Sequence, residues 1–305
     1  MALSVSQQLQ RFLRDNAATG ALGYPIPFLS TPESGDVWME HEKLLVSCLR
    51  TGDDKGAFLC LERLIGRFGA TNERVMGLRG LYQEALAEDE TALKQVLREY
   101  DDILAGDVTN TPIAKRRIAL LCTLNRSSEA IEALNELLES SPTDIEAWAE
   151  LADLYAARGL FSQAIFCLEE VLLVAPNAWN VHARLGELLY ILGSTGNNVH
   201  QATVDAIGRF CRSVELCNDY LRGYYGLKMA SDRLLSLLDS GSRQTQAPHN
   251  AEGRQLSVQC VRQLNEQATL KLAEATRDRT GDEQNRNELV AATRLLSKGD
   301  ETRVR

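Results

Sequence analysis

The sequence predicts an all-α protein, a solenoid of about five to six helix hairpins with helical caps, and three observations carry that prediction. Composition comes first: Leu (47) and Ala (33) outnumber Val and Ile together (26) threefold, and only 7 Pro occur in 305 residues, which favours helix over sheet. Periodicity comes second. Trp148, Leu151, Ala152 and Tyr155, then Ala164, Leu168, Val171, Leu172 and Ala175, recur every three or four residues and mark two amphipathic helices. The third is repetition. Ala130, Leu134, Leu137 and Pro142 return 34 residues later as Ala164, Leu168, Val171 and Pro176, and a fixed period of that length marks a helical array.

In chain order, residues 1–36 read as an N-terminal helix (Leu3 to Asn16, with Leu9, Phe12 and Leu13 on one side) followed by an irregular Gly/Pro-rich cap, Gly20 to Gly35. Gln7, Gln8, Gln10, Arg11 and Arg14 fall where a secretory signal needs apolar residues, so no such signal is expected. Residues 37–239 read as the solenoid. Its equivalent hairpin ends fall at 69, 108, 142, 176 and 218, separated by 39, 34, 34 and 42 residues. The first interval carries about five extra residues near Ala87 to Thr91, the last about eight, placed at Gly193 to His200. Five hairpins result, and the first helix of a sixth restarts at Tyr224-x-x-Leu227. In the most regular unit, Thr143-x-x-Glu146 has the form of a capping box, Arg158-Gly159 supplies a stop, and Ser162 a cap for the second helix. Residues 240–254, rich in Ser, Gly, Gln and Asn, read as a flexible linker. Residues 255–298 read as C-terminal capping helices, with Leu256, Cys260, Leu264, Ala268 and Leu272 on one stripe.

The chemistry expected of this chain is binding. With 42 acidic against 33 basic residues the net charge is −9, which argues against a nucleic-acid partner. Seven Cys are scattered without a C-x-x-C pair, and the four His lie far apart, so neither a sequence-local zinc module nor any other metal or cofactor is expected. The odd Cys count without a signal peptide indicates buried thiols in a reducing compartment. No apolar run approaches the roughly 18 to 20 residues of a membrane span, so a membrane connection would be peripheral. There is no P-loop, G-x-G-x-x-G, G-x-S-x-G or H-E-x-x-H. The pairs Asp101-Asp102 and Glu169-Glu170 point about 100° apart on their helices and do not converge on one proton, so no enzyme is expected.

Trp148-x-x-Leu151-Ala152-x-x-Tyr155, Ala164-x-x-x-Leu168 and Pro176 resemble the tetratricopeptide repeat (TPR), with Ala for Gly and Leu for Phe. The resemblance implies a right-handed solenoid whose first helices line a groove for an extended peptide or helix. By that analogy the groove residues are Lys115, Ala119 and Cys122, then Glu146, Ala149, Asp153 and Ala156, then Asn180, Ala183, Arg184, Glu187 and Tyr190. Lys115 and Arg184 would be available to carboxylates. TPR clamps for chaperone tails present Lys and Asn, then Asn, then Lys and Arg; the corresponding Lys115, Ala119, Glu150, Asn180 and Arg184 match two of five, and Glu150 repels an acidic tail. Lys115-Arg116-Arg117, the densest basic cluster, reads first as a solvated face.

Finally, Tyr100-Asp101-Asp102-Ile103-Leu104, Ala114-Lys115-Arg116-Arg117-Ile118-Ala119, Leu134-Asn135-Glu136-Leu137-Leu138, Glu146-Ala147-Trp148 and Phe166-Cys167-Leu168-Glu169-Glu170 resemble the family of subunit 2 of the ER membrane protein complex. Val108 departs from the family's Pro. The resemblance implies a non-catalytic scaffold on the cytosolic face of the endoplasmic reticulum, held there through partner subunits. It would be part of a hetero-oligomeric insertase for tail-anchored and multipass proteins, gripping cytosolic segments of the other subunits. The alternatives are a free TPR adaptor or co-chaperone and, third, an enzyme with TPR units appended.

Overall fold

A computed structural model describes residues 35–195, 198–240, 257–278 and 286–303. The expected N-terminal helix, the irregular passage after it and the linker lie outside those residues, except at Gly35 and Ser240, which are helical. The described residues form thirteen helices: α1 Gly35–Thr51, α2 Asp54–Phe68, α3 Glu73–Leu86, α4 Glu90–Gly106, α5 Thr111–Thr123, α6 Ser127–Ser140, α7 Ile145–Ala157, α8 Phe161–Val174, α9 Trp179–Thr195, α10 Val199–Leu216, α11 Leu221–Ser240, α12 Val258–Asp278 and α13 Arg286–Arg303. The fold is all-α and of TPR type, and it divides into two compact units, one up to Glu139 and one from Ser140.

Local chemistry sets the helix starts. Asp53, Asn72, Asp89, Asn110 and Asp144 each accept hydrogen bonds from first-turn amides, as in Asp89 Oδ1 to Ala92 N at 2.8 Å. Such caps contribute about 1 kcal/mol apiece. The capping residue of α7 is therefore Asp144, which bonds the amides of Glu146 and Ala147, and not Thr143. Ser162 caps nothing at the start of α8: that helix opens at Leu160 without a side-chain cap, straight from a turn in which Gly159 has φ +74°. Asn125, 34 residues earlier, holds the same left-handed conformation (φ 57°), which Asn tolerates better than most residues.

In the first unit α3 packs against α1, α2, α4 and α5, and α4 packs against α5. Tyr100 of α4, 1% exposed, donates its hydroxyl to Glu84 of α3 at 2.6 Å, and Arg116 of α5 bonds both oxygens of the same carboxylate. Burial and the Glu84 carboxylate raise the Tyr100 pKa well above its ordinary value, so the phenol stays a donor.

In the second unit α7 pairs with α8, α9 with α10 and α11 with α12, and α9 also lies against α8 and α11. Phe210 of α10 is the largest fully buried apolar side chain there and presses on the bare backbones of Gly186 and Gly226. Ser213 takes the position that Leu137 and Val171 hold in earlier hairpins; its hydroxyl is satisfied by the Trp179 carbonyl at 2.7 Å. The eight extra residues of this hairpin are not a long loop. They lengthen both helices by four, 17 in α9 against 13 in α7 and 18 in α10 against 14 in α8.

Helix α12 completes the sixth hairpin through a buried polar lock. Lys228 of α11, 5% exposed, bonds Asp232 at 2.6 and 2.7 Å and Asn265 of α12 at 3.2 Å, while the Asn265 amide donates to Ser231 and Asp232. Asn265→Leu should cost about 1–3 kcal/mol, since it leaves the Lys228 amine short of a partner. Chemical unfolding of the full chain reads this, and an unchanged midpoint would mean the lock contributes nothing.

Candidate partner-binding face

The first helices of the hairpins carry the residues expected to meet a partner. In the first unit Lys115, Ala119 and Cys122 all lie half-buried on α5. The basic cluster around Lys115 is largely used within the chain: Arg116 is tied to Glu84, and Arg117 bonds Asp101 at 2.6 Å.

In the second unit the face runs over α7, α9 and α11. Glu146, Asp153 and Asn180 are exposed, Ala149, Ala156, Glu187 and Tyr190 half-buried. Ala183 departs from expectation: it is 0% exposed and belongs to the apolar cluster shared with α10 and α11, where a small side chain lets helices approach. It offers no surface to a partner. Arg184 is also not an open cation, because it bonds Asp153 of α7 and Glu187 of its own helix, each at 3.1 Å. Glu187 in turn holds Arg222 of α11 with both oxygens, one at 2.8 Å. Asp153, Arg184, Glu187 and Arg222 thus form a ladder of alternating charge across three first helices.

Arg222 and Arg233 of α11 were not expected on this face. The signal for Arg222 was present: it follows Asn180 by 42 residues, the spacing of that interval, and sits second in its helix as Glu146 and Asn180 do. Arg233 stacks over the Tyr190 ring at 4.9 Å and bonds the Tyr190 and Gly193 carbonyls at 3.3 and 3.4 Å. A cation at the carboxyl end of α9 also complements the helix dipole. Beside Arg222, α11 and α13 enclose a cleft of about 240 Å³ lined by Leu221, Arg222, Tyr225, Glu288 and Ala291.

Burial pushes the Cys60 and Cys167 thiols up to about 11 and the Cys211 thiol up to about 12, so they stay protonated at neutral pH and are poor nucleophiles. All seven cysteines are free thiols. Among the described residues no group of three His, Cys, Asp or Glu converges to hold a metal ion, and no helix is long and apolar enough to cross a membrane.

Residues 74–202 match the family model described as the EMC2 TPR-like repeat domain. The chain is 36% identical over 202 residues to TPR repeat protein oca3 of Schizosaccharomyces pombe, covering 66% of this chain and 69% of that one. It is also 36% identical over 201 residues to ER membrane protein complex subunit 2-B of Xenopus laevis, covering 66% and 64%. The chain belongs to the ER membrane protein complex subunit 2 family. It spans about two thirds of the length of these relatives. Among solved structures, one of MamA protein aligns with a TM-score of 0.47 and 14% identity, over 68% of this chain and 92% of that one. The family match takes in α7 and α9 and stops before α11, so Arg222 and Arg233 lie outside the matched residues.

One buried group near this face titrates. His182 of α9, 6% exposed, has its Nε2 at 3.0 Å from the Pro176 carbonyl and its Nδ1 without a partner, the pattern of a neutral ring donating from Nε2. Burial, with smaller contributions from Arg209 and Arg212, lowers its folded pKa below the ordinary 6.5. The unfolded chain therefore binds the proton more readily, and the contribution of His182 to stability, complete above pH 6.5, is lost as pH falls from there. Urea midpoints at pH 7.5 and 5.5 should differ, and His182→Gln should narrow the gap; an equal gap in the variant would remove His182 as its source.

Proposed function

We propose that the chain is a non-catalytic scaffold subunit of the ER membrane protein complex. It would sit on the cytosolic face of the endoplasmic reticulum and position cytosolic segments of membrane-embedded subunits, which carry out insertion of tail-anchored and multipass clients. The observation that carries this reading is the 36% identity to a relative named as that complex's subunit 2.

The geometry gives the reading a physical form. On the second unit's first-helix face small residues (Ala149, Ala156) alternate with Glu146, Asp153 and Asn180, so a partner backbone can approach closely and meet hydrogen-bonding groups. The charge ladder supports a permanent scaffold over a clamp for acidic tails, since Arg184 is already engaged by two carboxylates. The solvated Arg184–Asp153 pair adds less than about 1 kcal/mol to folding. Arg184→Ala leaves Glu187 still paired with Arg222, so it should leave the unfolding midpoint nearly unchanged while weakening recovery of at least one partner.

The deciding experiment is mild-detergent affinity purification of the tagged chain from its own cells, with mass spectrometry of stoichiometric partners. A fixed set of multipass ER proteins is expected. Recovery of heat-shock chaperones instead, or of substoichiometric soluble proteins alone, would replace the scaffold with a free adaptor.

A further inference from the structure

The second unit carries an apolar seam on a second helix, away from the first-helix face. On α8 Phe166 is 55% exposed and Leu173 75%, with Val174 at 45%; Trp179, across the tight turn closed by Ala178 N to Ala175 O, is 44% exposed. Phe166, Glu169 and Leu173 stand at i, i+3 and i+7 and so share one side of the helix, the two apolar groups about 10 Å apart along it. Trp148 of α7 meets the Phe166 ring edge-on at 6.0 Å and holds it in place. Aromatic anchors preset in this way are typical of interface hot spots.

The charge beside the seam is specific. Arg209 of α10 reaches Glu169 at 3.4 Å, between the two apolar groups, and Arg212 touches Glu215 at 3.4 Å and Asn177 at 3.5 Å. These bonds are at the long limit, and each guanidinium has five N–H donors. Both arginines also act electrostatically on His182, to disfavour its protonation, so their charge is felt locally.

We propose that this outer side of α8, rimmed by Arg209 and Arg212, docks one amphipathic helix of a partner subunit, with an apolar stripe flanked by carboxylates. The two-turn spacing of Phe166 and Leu173 suits the i, i+3/i+4, i+7 stripe of a single helix. The two arginines, incompletely engaged, call for acidic flanks. A protein helix fits better than an anionic membrane, because the chain's net charge of −9 opposes adsorption to like-charged lipid. The partner's membership of the complex rests on the scaffold reading; the seam and its chemistry do not.

The test places a photo-crosslinking benzoylphenylalanine at position 166 or 173 of the full tagged chain in its own cells, with position 146 on α7 as a control. Both seam positions should capture the same partner peptide, one with apolar residues at helical spacing and at least two carboxylates beside them, and position 146 should not. Arg209→Glu with Arg212→Glu should lower the yield about tenfold, and changing the peptide's carboxylates to Lys should restore it. Phe166→Ser with Leu173→Ser, checked for an unchanged melt, should abolish capture of the same peptide by the photoprobe at position 174. Lipid adducts, a peptide without carboxylates, or no adduct while the partners still co-purify would each overturn the seam and leave the scaffold reading standing. Capture of the acidic helix from a soluble protein, with no multipass proteins recovered, would keep the seam and overturn the scaffold reading.

Discussion

Gly226→Ala is expected to destabilise the chain by about 1–2 kcal/mol, a large effect for one methyl group. The added carbon would lie 2.7 Å from Cδ1 of Phe210 and nearer still to the far edge of that ring. The ring cannot retreat, because a Cβ at Gly186 on its other neighbour would already stand 3.0 Å away and Phe210 is 1% exposed. Overpacking of this kind costs about 1–3 kcal/mol, occasionally more. Against it stands the better helix propensity of Ala, about 1 kcal/mol, so the net sign is set by the clash. Urea unfolding should show a lower midpoint at unchanged slope, and Gly226→Ala with Phe210→Leu should recover part of the loss. A single variant that unfolds at the parental midpoint would show that the helices separate freely, contrary to the packing.

Glu84→Ala should cost more, about 3 kcal/mol. Its carboxylate, on a side chain only 13% exposed, is the shared acceptor for Tyr100 and for Arg116, whose side chain is 28% exposed. Removing it leaves a half-buried guanidinium and a buried phenol without their shared acceptor, and the cost of stranding a buried charge is about 3–5 kcal/mol when burial is complete. Here some solvent reaches Arg116, which sets the lower figure. Arg117→Ala removes a neighbouring pair whose Asp101 is half exposed and should cost under about 1 kcal/mol. The arginine that the first variant strands and the one that the second removes, Arg116 and Arg117, are adjacent in the same basic cluster, so thermal unfolding of both variants separates a structural tie from a solvated one. Equal losses would contradict the difference in burial.

That contrast also shows what the sequence could and could not reveal. The hairpins were legible because apolar spacing and the 34-residue offset report directly on which side of a helix is buried, and the helices from Glu90 to Leu216 follow them. The division of Lys115-Arg116-Arg117 was not legible: whether a cation is solvated depends on Glu84 and Asp101, which lie on other helices and 16 or 32 residues away. Arg184 is the same case, with Asp153 31 residues upstream. Ala183 failed for a different reason. Small residues serve both a surface that admits a partner and a core that admits a helix, and only tertiary packing separates the two. The cap of α7 was misplaced by one residue, since Thr143 and Asp144 are both good caps and the carboxylate makes the stronger bond to two amides. Arg222 was within reach of the 42-residue offset and needed only that the offset be continued.

The lengthened hairpin has a consequence for how such a chain can diverge. Four added residues turn a helix through about 400°, which returns each later side chain to within 40° of its old bearing, and add about 6 Å of length. Buried and exposed sides therefore keep their identity on α9 and α10, and Arg233 can meet the added carbonyl end of α9. An insertion of two residues would turn the helix about 200° and exchange its sides. Length in this architecture is thus an almost free variable in steps of one turn and a forbidden one between steps, so the width of a partner-binding face can drift without any of its residues being rewritten.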